Sequence, residues 1–291
     1  MTIRVTYNSI HEIGQRSNQE DSLYPSSDSS VSNGSLYILC DGMGGHAAGE
    51  VASQTVCSAL SQYILTHPSD DGLFDETLFL KALEYAYAAL DEKDTDDERK
   101  MGTTLAFVMF HTGGCFVAHI GDSRIYHIRP SEGKILFVTH DHSLVNELVE
   151  LGEMTPEEAK SSRQKNVITR AMQPHQESLV LADCVNVTDL KEGDYLYMCS
   201  DGMLENMEDR EIVNILALAK PDSEKIDILK GATKNNKDNH SALLIRIQSV
   251  HKDNHINEEE SGKMAKHGHH ALWYVLAIIV LILICITLYV L

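Results

Sequence analysis

The apolar run Leu36-Tyr-Ile-Leu-Cys40 stops at Asp41-Gly42-Met43, and much later Tyr195-Leu-Tyr-Met-Cys199 stops at Ser200-Asp201-Gly202-Met203. Both runs are rich in β-formers, so each reads as a strand that finishes on a carboxylate and a bare glycine. A single Asp-Gly after a strand is ordinarily a turn. Two copies of the phrase demand more: a sheet architecture that brings two strand ends, and their acids, to one edge.

The remaining pattern is strand-rich. Runs at 3–8, 36–40, 104–110, 115–120, 124–128, 135–139, 179–187, 194–199 and 242–249 carry Val, Ile, Leu, Tyr and Phe. Short connections at 110–115 and 128–136 predict hairpins, and hence antiparallel pairing. Helices are predicted over 47–66, 76–91, 143–151 and 208–219 by apolar residues at i, i+3 and i+4. Another begins at Thr155-Pro156-Glu157-Glu158, which offers an N-cap, Pro at the first helical position and acids in the first turn. The acidic run at 91–100 reads as a solvated loop. Strands that cluster while helices occupy separate stretches imply an α+β layered domain rather than a doubly wound one.

Bulk properties narrow the function. The net charge of −19 offers no basic field to a nucleic-acid backbone, so no nucleic-acid partner is expected. The six cysteines are scattered through apolar runs without a CxxC pair, which reads as reduced, buried thiols. None is followed by Arg six positions on, so a Cys-x5-Arg phosphate loop is absent. The first ten residues lack the apolar core of a signal peptide.

The C-terminal segment 271–291 holds 21 residues without a formal charge. A helix of that length spans a hydrocarbon core of roughly 30 Å. Trp273, Tyr274 and Tyr289 stand near its two ends, as interfacial aromatics do. The expectation is a single-pass C-terminal membrane anchor, with Lys263 and Lys266 favouring a cytoplasmic placement of the domain that precedes it. Residues 251–270 are polar and aperiodic, and read as a flexible linker between a domain at 1–250 and the transmembrane helix.

Acids recur where strands end beside small residues: Glu20-Asp21, Asp41-Gly42, Asp122, Asp141, Asp201-Gly202 and Asp238-Asn239. Hard divalent ions take oxygen ligands and retain water, and strand termini also leave carbonyl oxygens free. Any one acid of this kind is usually a turn residue. Six together point to a metal centre.

In order along the chain stand "GQRSNQEDS" (14–22), "CDGMGGHAAGEVAS" (40–53), "MGTTLAF" (101–107), "HIGDSRIY" (119–126), "THDHSLV" (139–145), "VITRAM" (167–172), "MCSDGMLENM" (198–207) and "DNHSALLIRI" (238–247). This series resembles the metal-dependent protein serine/threonine phosphatases of type 2C (the PPM family), especially the bacterial branch, across nearly all of the first 250 residues. The resemblance implies a four-layer sandwich of two antiparallel β-sheets flanked by helices. It also implies two Mn²⁺ or Mg²⁺ ions per site, with a third in bacterial members. By position, Asp41 would bridge two ions and the Gly42 carbonyl would bind one. Asp201 and Asp238 would hold the other, Glu20 would contact metal-bound water with Asp21 beside it, and Asp122 would take the third ion with Asp201 shared. Asp41 and Arg16 are the implied catalytic residues, Arg16 as the phosphate-contacting arginine. Hydroxide made available by the ions would attack phosphorus in line, without a phosphoenzyme.

Two departures from the family pattern stand out. Met43 occupies the place of a histidine cast as general acid in animal members, and Met cannot donate a proton; bacterial relatives commonly share it. His46 lies nearby and is taken as structural. His240 and Ser241 replace an apolar residue and Thr. The segment 142–166 corresponds to the flap beside the active site. The implied function is hydrolysis of phosphoserine and phosphothreonine in phosphorylated proteins, opposing a cognate Ser/Thr kinase at the membrane. The competing reading, a catalytically silent signalling adaptor on the same fold, would be marked by loss of a metal acid, and none is lost. A small-molecule phosphohydrolase would need a base-recognition feature, and none is visible.

Overall fold

The computed structural model describes residues 2–26, 34–44, 48–69, 71–94 and 101–251. The linker beyond His251, the expected anchor at 271–291 and His46 lie outside the described residues. Among those described, no helix is long and apolar enough to cross a membrane.

Two antiparallel sheets form the centre. The first takes β1 (Thr2–Glu12), β11 (His240–His251), β10 (Tyr195–Cys199), β7 (Arg124–Arg129) and β8 (Lys134–Val138), in that order. The second takes β2 (Asp21–Tyr24), β3 (Leu36–Met43), β5 (Leu105–His111), β6 (Gly114–Ile120) and β9 (Asp183–Val187), with the short β4 (Gly102–Thr103) paired to the end of β3. Both predicted hairpins form. β5 meets β6 across Thr112-Gly113, and β7 meets β8 through a 3-10 turn ended by Gly133 at φ 63°.

Period-two alternation assigns every central strand to two layers at once. Leu36, Ile38 and Cys40 face α1 (Ala48–Thr66) and α2 (Glu76–Asp91), burying Ala52, Val56, Leu60, Phe79 and Leu83. Tyr37 and Leu39 point the other way and join Leu196, Met198, Leu243 and Ile245 between the sheets. On the far side Tyr195, Tyr197, Ala242 and Leu244 pack on α5 (Asp209–Leu216) and α6 (Asp222–Thr233) through Ile212, Leu216 and Leu229. The order is therefore helix, sheet, sheet, helix, four layers in all.

Local signals explain the helix ends. Asp75 caps α2 by accepting from the Leu78 N–H at 2.9 Å. Thr155 and Glu158 form a reciprocal capping box on α4 (Pro156–Ser161), which follows α3 (Leu144–Glu150) in the segment joining the sheets. Several expectations need correction. β1 extends well past 8, the strand expected over 179–187 begins only at Asp183, and neither β2 nor α6 is visible in the periodicity. α6 hides because two of its four buried residues, Lys225 and Thr233, are polar.

The two Asp-Gly phrases also differ. Asp41-Gly42-Met43 is no turn: it remains in β3, where Gly42 and Met43 pair with Thr103 and Gly102 of β4 in the register that β3 keeps with β5. Asp201-Gly202 opens a 3-10 turn over Asp201–Leu204.

Candidate metal centre

The strand ends gather the predicted acids at one edge of both sheets. Asp21 and Asp41 are direct register partners on β2 and β3. Asp122 sits in the β6–β7 connection, Asp201 stands two residues after β10, and Asp238 stands two residues before β11. Cys199 of β10 pairs with Ala242 and Arg124 on its two sides, which places Asp201 beside the starts of β7 and β11.

Cross-sheet hydrogen bonds hold this edge. Ser200 Oγ donates to Asp21 Oδ2 at 2.9 Å and accepts from the Ser241 N–H at 3.0 Å, so one hydroxyl joins both sheets beneath the acids. Glu20 is fixed through its main chain. Its N–H donates to Asn239 Oδ1 at 2.8 Å, and its carbonyl accepts from Gly42 N–H at 3.0 Å and from Ser53 Oγ at 2.5 Å. Asn239 also donates to the carbonyls of Ile13 and Asn18, making it the post around which the 13–20 loop is wrapped. Thr104 exchanges main-chain and hydroxyl bonds with Asp41 and shares a 2.7 Å hydrogen bond with Ser123. A side chain on Gly42 would collide with the carbonyls of Gly49 and Glu20, so the close approach of α1 to this edge requires glycine there.

Electrostatically the site is overloaded with negative charge. Burial, followed by repulsion from Asp21, Asp201, Asp122 and Asp238, lifts the Asp41 carboxyl well above the usual range. Asp201 is raised by burial and then by Asp238, although its contact with the Asp41 carboxyl works the other way. Burial pushes Asp21 up to about 7 against the pull of Ser241 and Ser200, and pushes Asp122 up to about 8 with help from Asp201 and Asp141. Glu20 is raised by burial, moderated by Asn18 and Arg16. Among the described residues, Asp21 Oδ1 and Asp122 Oδ1 are buried without a hydrogen-bond partner. Among the described residues, converging carboxylates with orphaned oxygens, and no nitrogen or sulfur donor set among them, suit a hard divalent cation.

Arg16 stands at the rim, half-exposed, and donates to Asp238 Oδ2 at 2.6 Å. Its charge is thus next to the acids and reachable from solvent. Asp141 does not join the cluster: Arg124 binds both of its oxygens at 2.7 Å, so the strand-end signal there marks an ion pair. Met43 lies in β3 opposite Gly102. His240 is buried and bonded to the Asp238 carbonyl, and Ser241 shares a hydrogen bond with His11.

One further trio, His119, His142 and Asp183, brings ligand atoms within 4.8 Å of one another. The two rings are stacked, 4.6 Å between centroids and 15° from parallel. An imidazole binds an ion in its own plane, and stacked planes do not meet at one point. The trio is a hydrogen-bonded clasp in this arrangement rather than an ion cage.

Ser200, Asn239, Thr104 and Ser53 are the organising residues that sequence reasoning left without a role. Ser200 and Asn239 each stand next to one of the acids, whereas Thr104 and Ser53 have no acid beside them and carry no local signal.

Comparison with known proteins accords with this geometry. The family model described as Protein phosphatase 2C matches residues 11–226. The serine/threonine protein phosphatase PstP of Mycobacterium tuberculosis is 38% identical over 203 residues, a match that takes in 70% of this chain and 37% of PstP, so the chain spans well under half of that relative. Protein phosphatase PhpP of Streptococcus pneumoniae is 36% identical over 222 residues, 76% of this chain and 87% of PhpP. Among solved structures, the M. tuberculosis PstP/Ppp phosphatase superposes with a TM-score of 0.72 at 32% identity, covering 85% of this chain and 100% of that one. The PstP catalytic domain solved in complex with two manganese ions gives 0.70 at 31% identity, covering 85% and 100%. A match that runs from β1 into α6, and takes in every clustered acid except Asp238, shows that the chain belongs to the protein phosphatase 2C family.

Proposed function

We propose that this protein removes phosphate from phosphoserine and phosphothreonine in proteins, using two Mn²⁺ or Mg²⁺ ions, with a third at Asp122. The supporting observation is the cluster of Asp21, Asp41, Asp122 and Asp201, whose burial and mutual repulsion outweigh the pull of Arg16 on Asp201 and of Arg124 on Asp122. Asp41, the Gly42 carbonyl, Asp201 and Asp238 would hold the central pair, with Glu20 and Asp21 supporting. When bound, the ions supply ionised water near neutral pH and charge to offset the phosphoryl oxygens.

The chain's own residues do the rest. The Ser200 bond orients the Asp21 carboxylate, and Thr104 fixes the Asp41 main chain beside it. Arg16 can exchange Asp238 for a substrate phosphate, because a planar guanidinium matches two phosphate oxygens as well as it matches a carboxylate. Met43 has no proton to give, so protonation of the leaving group falls to solvent or to another side chain.

The apolar length of 271–291 further supports a membrane tether, with the catalytic domain on the cytoplasmic side, where a Ser/Thr kinase would be its counterpart. Full-length protein with Mn²⁺ and a phosphothreonine peptide tests the chemistry. Release of phosphate that survives both chelator and Asp41→Ala at the wild-type rate would sink it. Protein that stays in the membrane fraction after deletion of 271–291 would overturn the tether.

A further inference from the structure

We propose that His142 is a positioning residue for Asp122: it grips the Gly121 peptide from both sides and so ties the base of the 142–166 segment to the metal centre. The inference rests on the metal-dependent reading above.

Asp122 has one buried carboxylate oxygen without a partner among the described residues, so its aim depends on how its own turn is held. Gly121 adopts φ +100°, and a Cβ there would run into the Thr104 side chain. The turn is therefore pressed onto Thr104. On the far side of Asp122, Ser123 shares its hydroxyl bond with Thr104, which in turn accepts from the Asp41 N–H at 3.0 Å. On the near side, both polar groups of Gly121 are taken by one residue. The Gly121 N–H donates to His142 Nδ1 at 3.0 Å, and the Gly121 carbonyl accepts the His142 N–H at 3.0 Å.

Because Nδ1 accepts, the proton of the neutral ring belongs on Nε2, which then donates to Asp183 Oδ2 at 3.2 Å. Asp183 is held in turn by Arg170 Nη1 at 3.1 Å. The ring lies on His119, whose Nε2 pairs with the His140 carbonyl at 2.8 Å. Its surroundings leave the ring 6% exposed, and burial keeps it below the usual histidine range, the form in which Nδ1 can accept. The main chain of His142 marks where the segment departs and returns. Its carbonyl accepts from Thr169 N–H, Leu144 N–H donates to the Val167 carbonyl, and Ser143 bridges Ile168. A displacement at this base is thus transmitted through the imidazole to the peptide that aims Asp122. Outer partners of metal ligands act in this way and are worth roughly 10–100-fold in affinity.

The test is Mn²⁺ binding to the full-length chain, by calorimetry and by electron paramagnetic resonance of free Mn²⁺, alongside thermal melts. Asp122→Ala is expected to remove the weakest class of bound Mn²⁺. His142→Ala is expected to weaken that same class about tenfold and to leave the tighter ions unchanged. His142→Asn sets an acceptor oxygen where Nδ1 stands, and is expected to bring affinity back to within about twofold although it cannot reach Asp183. Should His142→Ala fail to fold, His142→Gln carries the comparison: it reaches Asp183 but not Gly121, and should weaken the same class. Wild-type binding in His142→Ala, or uniform weakening of every class that tracks the melting temperature and is not rescued by Asn, overturns the proposal. If the wild type binds no more Mn²⁺ than Asp41→Ala, the metal reading itself fails and takes this inference with it.

Discussion

Asp21 and Asp41 occupy the same register position on neighbouring strands, so β2 and β3 cannot pair without bringing two carboxylates to one face of the edge. Without cations this is an unfavourable meeting. Burial raises both groups, and Asp21 and Asp122 are pushed up to about 7 and about 8. A carboxyl whose pKa is raised by folding contributes stability that is full below its unfolded value near 3.8 and is lost as pH rises through the folded value. In chelator the melting temperature should therefore fall as pH climbs from about 5 to about 9, by about 5 °C or more. Mn²⁺ should reverse the fall, with a larger gain at the alkaline end. A flat profile in chelator, read by differential scanning calorimetry, would contradict the charge cluster.

Asp41→Asn separates the two consequences of that cluster. It should cut turnover by at least roughly 100-fold in Mn²⁺, beyond the usual cost of an outer-shell partner. In chelator it should raise the melting temperature above wild type, because a buried acid repelled by Asp21, Asp201, Asp122 and Asp238 is replaced by a group that carries no charge. Phosphopeptide kinetics and paired melts with and without metal measure both.

Arg16 presents a different balance, since its guanidinium already holds Asp238 at the rim. Arg16→Ala should lower kcat/KM by about tenfold or more, mainly through KM if the contact is made equally in ground and transition states. Arg16→Lys should recover only part of it, because an ammonium cannot form the planar bidentate pair. Steady-state kinetics with a phosphothreonine peptide decide this, and an Arg16→Lys enzyme equal to wild type would argue against direct phosphate contact.

The acids were legible because strands that end on Asp-Gly or Asp-Asn advertise themselves locally, and the alternating runs announced the sheets. What stayed hidden is tertiary. The Ser200–Asp21 bond joins residues 179 apart in sequence, and Asn239 reaches Glu20 across 219. No local pattern encodes such partners. Asp141 misled for the same reason, since its strand-end setting matches the others and only the fold shows Arg124 opposite it. α6 was missed because the amphipathic stripe is broken by Lys225, which is buried with its ammonium donating to Tyr195 Oη and the Leu216 carbonyl.

Far from the metal centre, at the opposite end of β10, Asp194 is almost fully buried and accepts from Arg129 at 2.8 and 2.9 Å, with His127 Nε2 at 2.9 Å. Burial alone would raise its carboxyl, but His127, Arg129 and the Lys191 N–H outweigh it and hold the group down to about 2. A lowered carboxylate contributes stability that is present above its unfolded value near 3.8 and disappears as pH falls through the folded one. Urea midpoints should therefore drop between pH 4 and pH 2, to the extent of about 2 kcal/mol from this group. Asp194→Ala should flatten that acid limb and cost about 3 kcal/mol at neutral pH, because Arg129 and His127 lose their buried carboxylate and Arg129 is left with Asp189 and Glu132 at the surface. Asp194 lies about 20 Å along the strand direction from Asp201. Turnover per folded molecule should accordingly match wild type below the unfolding temperature. An Asp194→Ala protein that keeps wild-type stability at pH 7 but loses activity would show instead that this ion pair belongs to the catalytic machinery.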